Sequence, residues 1–295
     1  MATSCVKTGL YHVPPQACNR ALRVSYRRSY ARAVGFPAAA STPQGSGRYT
    51  SFVDSPAHIG CSGWSYDHWR GDFYPEGLAK TRWFSHYAEH FATVEVNATF
   101  YHLPRETTWD KWREAAPEGF IYAIKLWRQV THRRRLAEIE EPLLTFLRGA
   151  RQLVERLGPI LVQLPPGLHA DCELLSSFLR LLPRDLRFAF ELRHQSWYED
   201  DAYRLLEKHG AAFVLHDYRG RVTPRVAVGP FIYVRFHGPR GDYQGAYSRD
   251  ALSDWADWLR VQAGSGRECF AYFNNDFGGH APRDARALTE LVERE

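Results

Sequence analysis

The stretch FIYVRFHG, residues 231–238, decides how this chain folds. In an extended strand Ile232, Val234 and Phe236 fall on one face, and Tyr233, Arg235 and His237 on the other. RFAFELRH (187–194) repeats the pattern, setting Phe188, Phe190 and Leu192 against Ala189, Glu191 and Arg193. In TVEVNATFY (93–101), Val94 and Val96 oppose Glu95, Asn97 and Thr99. PILVQLPP (159–166) opposes Ile160, Val162 and Leu164 to Leu161 and Gln163, while in FIYAIKLW (120–127) Ala123 and Lys125 share the face opposite Phe120. HIGCSGW (58–64), AAFVLHD (211–217) and CFAYFNND (269–276) complete a set of eight strand-like runs.

Between most of them lie amphipathic segments: 80–91, 142–157, 172–182, 200–209, 248–262 and 281–293. Strands alternating with helices imply a parallel sheet, and eight units in about 240 residues match a closed (β/α)8 TIM-type barrel in the α/β class. Two crossovers are irregular. The one near 107–116 is short, and YRGRVTPRVAVGP (218–230), between strands six and seven, is too rich in proline and glycine for a helix. No GxGxxG or P-loop follows any strand, which removes the sequence support for a doubly wound nucleotide-binding sheet.

The formal net charge of +5 is concentrated at one end. Residues 1–57 carry Lys7, Arg20, Arg23, Arg27, Arg28, Arg32 and Arg48 against Asp54, so residues 58–295, the expected barrel domain, are close to neutral. This basic, low-complexity segment is expected to be a disordered extension or the product of a start codon placed too far upstream. An Arg-rich transit peptide for organelle import and a nucleic-acid-binding arm are the alternatives. The cysteines at 5, 18, 61, 172 and 269 form no CxxC pair, which argues against a disulfide framework or zinc ribbon and fits the reducing cytoplasm. No run approaches the roughly 20 apolar residues of a membrane-spanning helix.

In a barrel the apolar strand face meets the outer helices and the other face points inward, where charged groups must be paired. The inward polar residues sit toward the C-terminal strand ends, where such barrels build sites. Arg193, Arg235, Lys125 and His132, the last in the Arg-rich loop RQVTHRRRL (128–136), are candidates to hold a phosphate or carboxylate. Asn97, Gln163 and Asn274 would fix polar substituents, Trp64 would offer a stacking surface, and Glu191, His237, Asp217 and Glu95 are the candidate catalytic groups. The expected partner is therefore a small anionic ligand, and no metal or cofactor is predicted.

Three other chemistries compete. Glycoside hydrolysis would use Glu95 and Glu191, but an adjacent Arg lowers a carboxyl pKa, the wrong direction for a general acid. A metal-dependent hydrolase or isomerase would take Glu191, Asp217 and His237 as ligands, against the repulsion of Arg193 and Arg235. A non-catalytic protein would bind a nucleic-acid end, phosphates on the arginines and bases on Trp64 and Trp69; the near-neutral barrel disfavours it.

The blocks GCSGWSYDHWRGDFYP, VEVNATFYHLP, KLWRQVTHRRRL, LVQLPPGL, FELRHQSW, YVRFHG with YSRDALSDWA, and YFNNDFGGHAPRDA, in this order over residues 58–293, resemble the signature blocks of the YecE-like family, a domain of unknown function. The resemblance implies a (β/α)8 barrel and brings no activity with it. Cys61 stands where that family usually has Thr and is read from strand phase as a packing residue; Asp276 stands where Thr is common.

Overall fold

The computed structural model describes residues 57–294. Eight parallel strands close into a barrel in sequence order. They are β1 (Ala57–Cys61), β2 (Thr93–Val96), β3 (Ile121–Lys125), β4 (Leu157–Gln163), β5 (Phe188–Glu191), β6 (Ala212–His216), β7 (Phe231–Phe236) and β8 (Glu268–Phe273). The α-helices are α1 (Trp83–Ala88), α2 (Ala98–Tyr101), α3 (Glu106–Ala115), α4 (Glu140–Ala150), α5 (Cys172–Leu179), α6 (Asp200–Lys208), α7 (Arg249–Gly264) and α8 (His280–Glu293). The expected (β/α)8 architecture is present. The expected extension, residues 1–57, lies outside the described residues but for Ala57, the first residue of β1. No described helix is long and apolar enough to cross a membrane.

Strand phase separates two cores. Ile232, Val234 and Phe236 pack outward into a cluster shared with Leu252, Ala256 and Leu259 of α7 and Ala285 and Leu288 of α8. Ala123, Leu161, Ala189, Ala212, Val214, Phe231, Tyr233, Phe270 and Tyr272 fill the barrel interior. Cys61 belongs to the outer cluster, as its phase requires. Register then stacks polar residues above this inner apolar layer: Gln163 pairs with Glu191, and Arg235 lies between His216 and Tyr272.

The crossover between β6 and β7 contains only a 3-10 turn, Tyr218–Gly220. The segment after it runs back along β6, with mutual bonds between His216 and Thr223 (backbone N–H to carbonyl and backbone N–H to hydroxyl, both 3.0 Å) and Phe213 N–H donating to Val228 O. Arg225 anchors it outside, 4.0 Å over the Trp255 ring and paired with Asp254 at 2.8 Å.

One expectation is corrected. The run 93–101 is not strand throughout, since β2 ends at Val96 and residues 98–101 turn into α2. The Thr99 hydroxyl donates to the Lys125 carbonyl at 2.6 Å, so it ties the turn across to the end of β3 where a ladder bond would otherwise fall.

Candidate functional site

Arg235, 1% exposed at the centre of the barrel, organises the polar layer. Its Nε and Nη2 donate to the two Glu95 oxygens at 2.8 and 2.6 Å, and its Nη1 donates to Glu191 Oε2 at 2.7 Å. Glu95 also accepts from Ser62 Oγ (2.7 Å), Tyr233 Oη (2.8 Å) and Asn97 Nδ2 (3.2 Å). Glu191 accepts from Arg193 Nε at 2.6 Å and from Gln163 Nε2 at 3.0 Å to each oxygen. Burial alone would push both carboxyls up, but Arg235, joined at Glu191 by Arg193, outweighs it and holds both below the usual carboxylate range. Both are therefore fixed anions, each saturated with donors.

Above this layer opens a cavity of about 480 Å³ at the C-terminal strand ends. Asn97, Lys125, Gln163, Arg193 and Arg235 form its floor and walls from the strands, with Asn274 after β8. The loop after β3 adds Arg128 and His132, α2 adds Phe100 and Tyr101, and Tyr66, Tyr243 and Asp276 complete the rim. The Lys125 ammonium lies 4.3 Å over the Phe100 ring and is 7% exposed. Burial, reinforced by Arg235 and Arg193 and only partly opposed by Glu191, pulls its pKa down to about 7. His132 is driven to about 4 by burial and by Lys125, so it is neutral at physiological pH. Burial raises the Asp276 carboxyl.

Beside the cavity lies a second cluster. Asp217 Oδ1 accepts the His237 backbone N–H at 2.7 Å, and Tyr247 Oη donates to Oδ2 while accepting the Gly238 N–H at 2.8 Å. Arg235 Nη1 donates to His237 Nε2 at 3.1 Å, which leaves the ring proton on Nδ1, 3.5 Å from Asp217 Oδ1. Gly238 at φ +95° permits this return, since a Cβ there would meet Gln244 O at 2.3 Å.

Seven residues read from the sequence as ligand-binding thus line one cavity: Asn97, Lys125, His132, Gln163, Arg193, Arg235 and Asn274. Trp64 does not line it, packing edge-to-face on Phe84 and Trp112 in the outer layer. Glu95 and Glu191 lie beneath the floor as partners of the arginines, and Asp217 and His237 stand to one side. Glu191, Asp217 and His237 do not gather as a metal set: Glu191 is held by Arg193 and Arg235, Asp217 by Tyr247 and the His237 backbone N–H, and His237 Nε2 accepts from Arg235. Among the described residues, the three ligand-type side chains whose atoms converge within 4.8 Å are His86, Glu89 and His90, on or just after the outer helix α1. Arg133, Arg134 and Arg135 are exposed outside the cavity; Arg135 Nη2 donates to Gly167 O at 2.9 Å. Phe100 and Tyr101 escape a strand reading of 93–101; the signal for them is Asn97, a turn-favouring residue directly after Val96.

The family model for "Protein of unknown function DUF72" matches residues 58–295. The chain belongs to the DUF72 family. UPF0759 protein YunF of Bacillus subtilis is 27% identical to this DUF72 chain over 278 residues, which cover 81% of this chain and 95% of that protein. UPF0759 protein YecE of Escherichia coli is 28% identical over 168 residues, 55% of this chain and 59% of that one. The crystal structure of a DUF72 family protein from Thermotoga maritima superposes with a TM-score of 0.73 at 27% identity, covering 81% of this chain and 99% of that one. A second, from Enterococcus faecalis, gives 0.69 at 20% identity with 81% and 96% covered, a likeness of fold alone. The YecE-like resemblance read from the sequence blocks is thereby established as DUF72 membership.

Proposed function

We propose that the mouth of this DUF72 barrel binds a small anionic ligand, one bearing a phosphate or carboxylate, as the site of an enzyme whose reaction is not assigned. The observation that carries the reading is an unbalanced charge. Arg193 and Arg235 are matched by Glu191 and Glu95, whereas among the described residues Lys125 and Arg128 have no ion-pair partner although both face the cavity. Arg128 Nε is also buried without a hydrogen-bond partner. Burying uncompensated cations is costly, and an anion in the cavity relieves that cost. The volume of about 480 Å³ suits a small molecule.

The test is thermal unfolding of the full chain in increasing inorganic phosphate and glucose 6-phosphate at constant ionic strength. A saturable rise in melting temperature is expected, and its loss in Arg128→Met. A flat response to both anions would overturn the reading. A labelled oligonucleotide that binds with a steep salt dependence, and competes with phosphate, would replace it with the nucleic-acid reading.

A further inference from the structure

We propose that Lys125 is a nucleophilic amine that condenses with the carbonyl carbon of an anionic aldehyde or ketone held in this cavity, forming an imine. The inference rests on the anion-binding reading and adds the reacting atom to it.

Position comes first. Lys125 is the last residue of β3, on its inward face, and its carbonyl is pinned by the Thr99 hydroxyl at 2.6 Å, so the side chain starts from a fixed strand end. Its nitrogen, over the Phe100 ring at 4.3 Å, has no hydrogen-bond acceptor among the described residues, so the lone pair and protons are free for a ligand. Asn97 Oδ1, in the same wall, is a buried acceptor without a donor, placed to receive a hydroxyl.

Residue choice comes second. The chain's lysines are Lys7, Lys80, Lys111, Lys125 and Lys208, and positive charge is otherwise carried by arginine, including the buried Arg235 and the partly buried Arg193. Arginine serves better for holding an anion and cannot lose its proton; lysine alone offers an amine. At this position burial and the neighbouring arginines favour the uncharged amine, the form that attacks a carbonyl.

The step balances without a further reagent. The amine nitrogen bonds to the carbonyl carbon, the C–O bond breaks, and the oxygen leaves as water with the two amine hydrogens. Arg128 and the Nη edge of Arg193, whose guanidinium lies 3.9 Å over the Tyr218 ring, would hold the anionic end. The substrate class is thus a keto acid, an aldehyde acid or a phosphorylated carbonyl compound.

The experiment treats the full chain with glyoxylate and sodium cyanoborohydride across a pH series and maps carboxymethyl-lysine by peptide mass. Lys80, Lys111 and Lys208, all exposed, are internal references. The expected result is labelling of Lys125 at neutral pH at least ~10-fold faster than the references, because its free-amine fraction is larger by far than that of a lysine near 10.4. Labelling should reach half its maximal rate near pH 7 and should be slowed by inorganic phosphate. Lys125→Arg should lose the adduct. If phosphate stabilises the wild type but Lys125 labels no faster than the references, the imine is overturned and anion binding stands. If phosphate does not stabilise the wild type, the anion reading falls as well. Protection by phosphate is read on the wild type, so the test survives a variant that fails to fold.

Discussion

Arg235 grips Glu95 through two parallel hydrogen bonds, Nε to Oε2 at 2.8 Å and Nη2 to Oε1 at 2.6 Å, with both side chains almost completely buried. Such a pair is expensive to assemble but more expensive to break, since the remaining charge has no water to return to. Arg235→Met should therefore destabilise the barrel by roughly 3–5 kcal/mol. Adding Glu95→Gln should restore part of that loss, because the amide needs no counter-charge. Urea unfolding of the two single variants and the double gives the coupling energy, and strict additivity would show that the pair is not the organising contact.

The seam between β1 and β2 depends on a helix side chain. Only Cys61 and Val94 pair across it, and the Tyr87 hydroxyl fills the gap, accepting the Cys61 N–H at 2.8 Å and donating to Thr93 O at 2.9 Å. Tyr87→Phe strands a buried N–H and a buried carbonyl, at a cost of about 1–3 kcal/mol. Amide exchange at Cys61 should accelerate in that variant at least as much as global unfolding does. Unchanged protection would mean the strands close up without the hydroxyl.

The inward residues were legible because a strand has a period of two, and a period of two cannot hide which face is polar. Glu95, Lys125, Glu191, Arg193 and Arg235 follow from that alone. What the strand phase does not encode is assignment of roles. Glu95 and Glu191 read as acids or bases, yet they are each held by several donors from other strands, a result of barrel closure rather than of local pattern. Loop aromatics were harder still. Trp64 leaves β1 toward Phe84 and Trp112, partners contributed by α1 and α3, while Phe100 reaches the cavity because the extended run ends at Val96 and turns into α2.

Acid should act on the barrel through Glu191. The folded carboxyl is held well below its ordinary 4.5, so between that value and its folded pKa the unfolded chain binds a proton the native one does not. Stability from this group is full above pH 4.5 and is lost as pH falls through the lowered folded value. Glu191→Gln removes that contribution. The gap between wild type and variant in urea midpoint should be constant from pH 7 to 5 and narrow progressively below 4.5. A gap that is undiminished at pH 3 would assign the effect to lost hydrogen bonds rather than charge.

Lys125 titrates with the opposite sense. Its folded pKa of about 7 lies below the 10.4 of an unfolded lysine, so between these values unfolding takes up a proton and stability rises with pH. Below pH 7 both states are protonated and the native state carries the full cost of a desolvated ammonium. Lys125→Met, one atom shorter, keeps an unbranched apolar chain beside Phe100 and removes the charge. The variant should therefore be more stable than the wild type at pH 6, by on the order of 4–5 kcal/mol, and the difference should shrink toward zero as the pH approaches 10. Phosphate should narrow the gap at pH 6 by stabilising the wild type more than the variant, which keeps Arg128 and Arg193 but lacks the ammonium. A variant equally or less stable at pH 6, with no change in the difference across the series, would mean that the amine keeps an ordinary pKa in the fold, and it would take away the chemical reason for a lysine at this place.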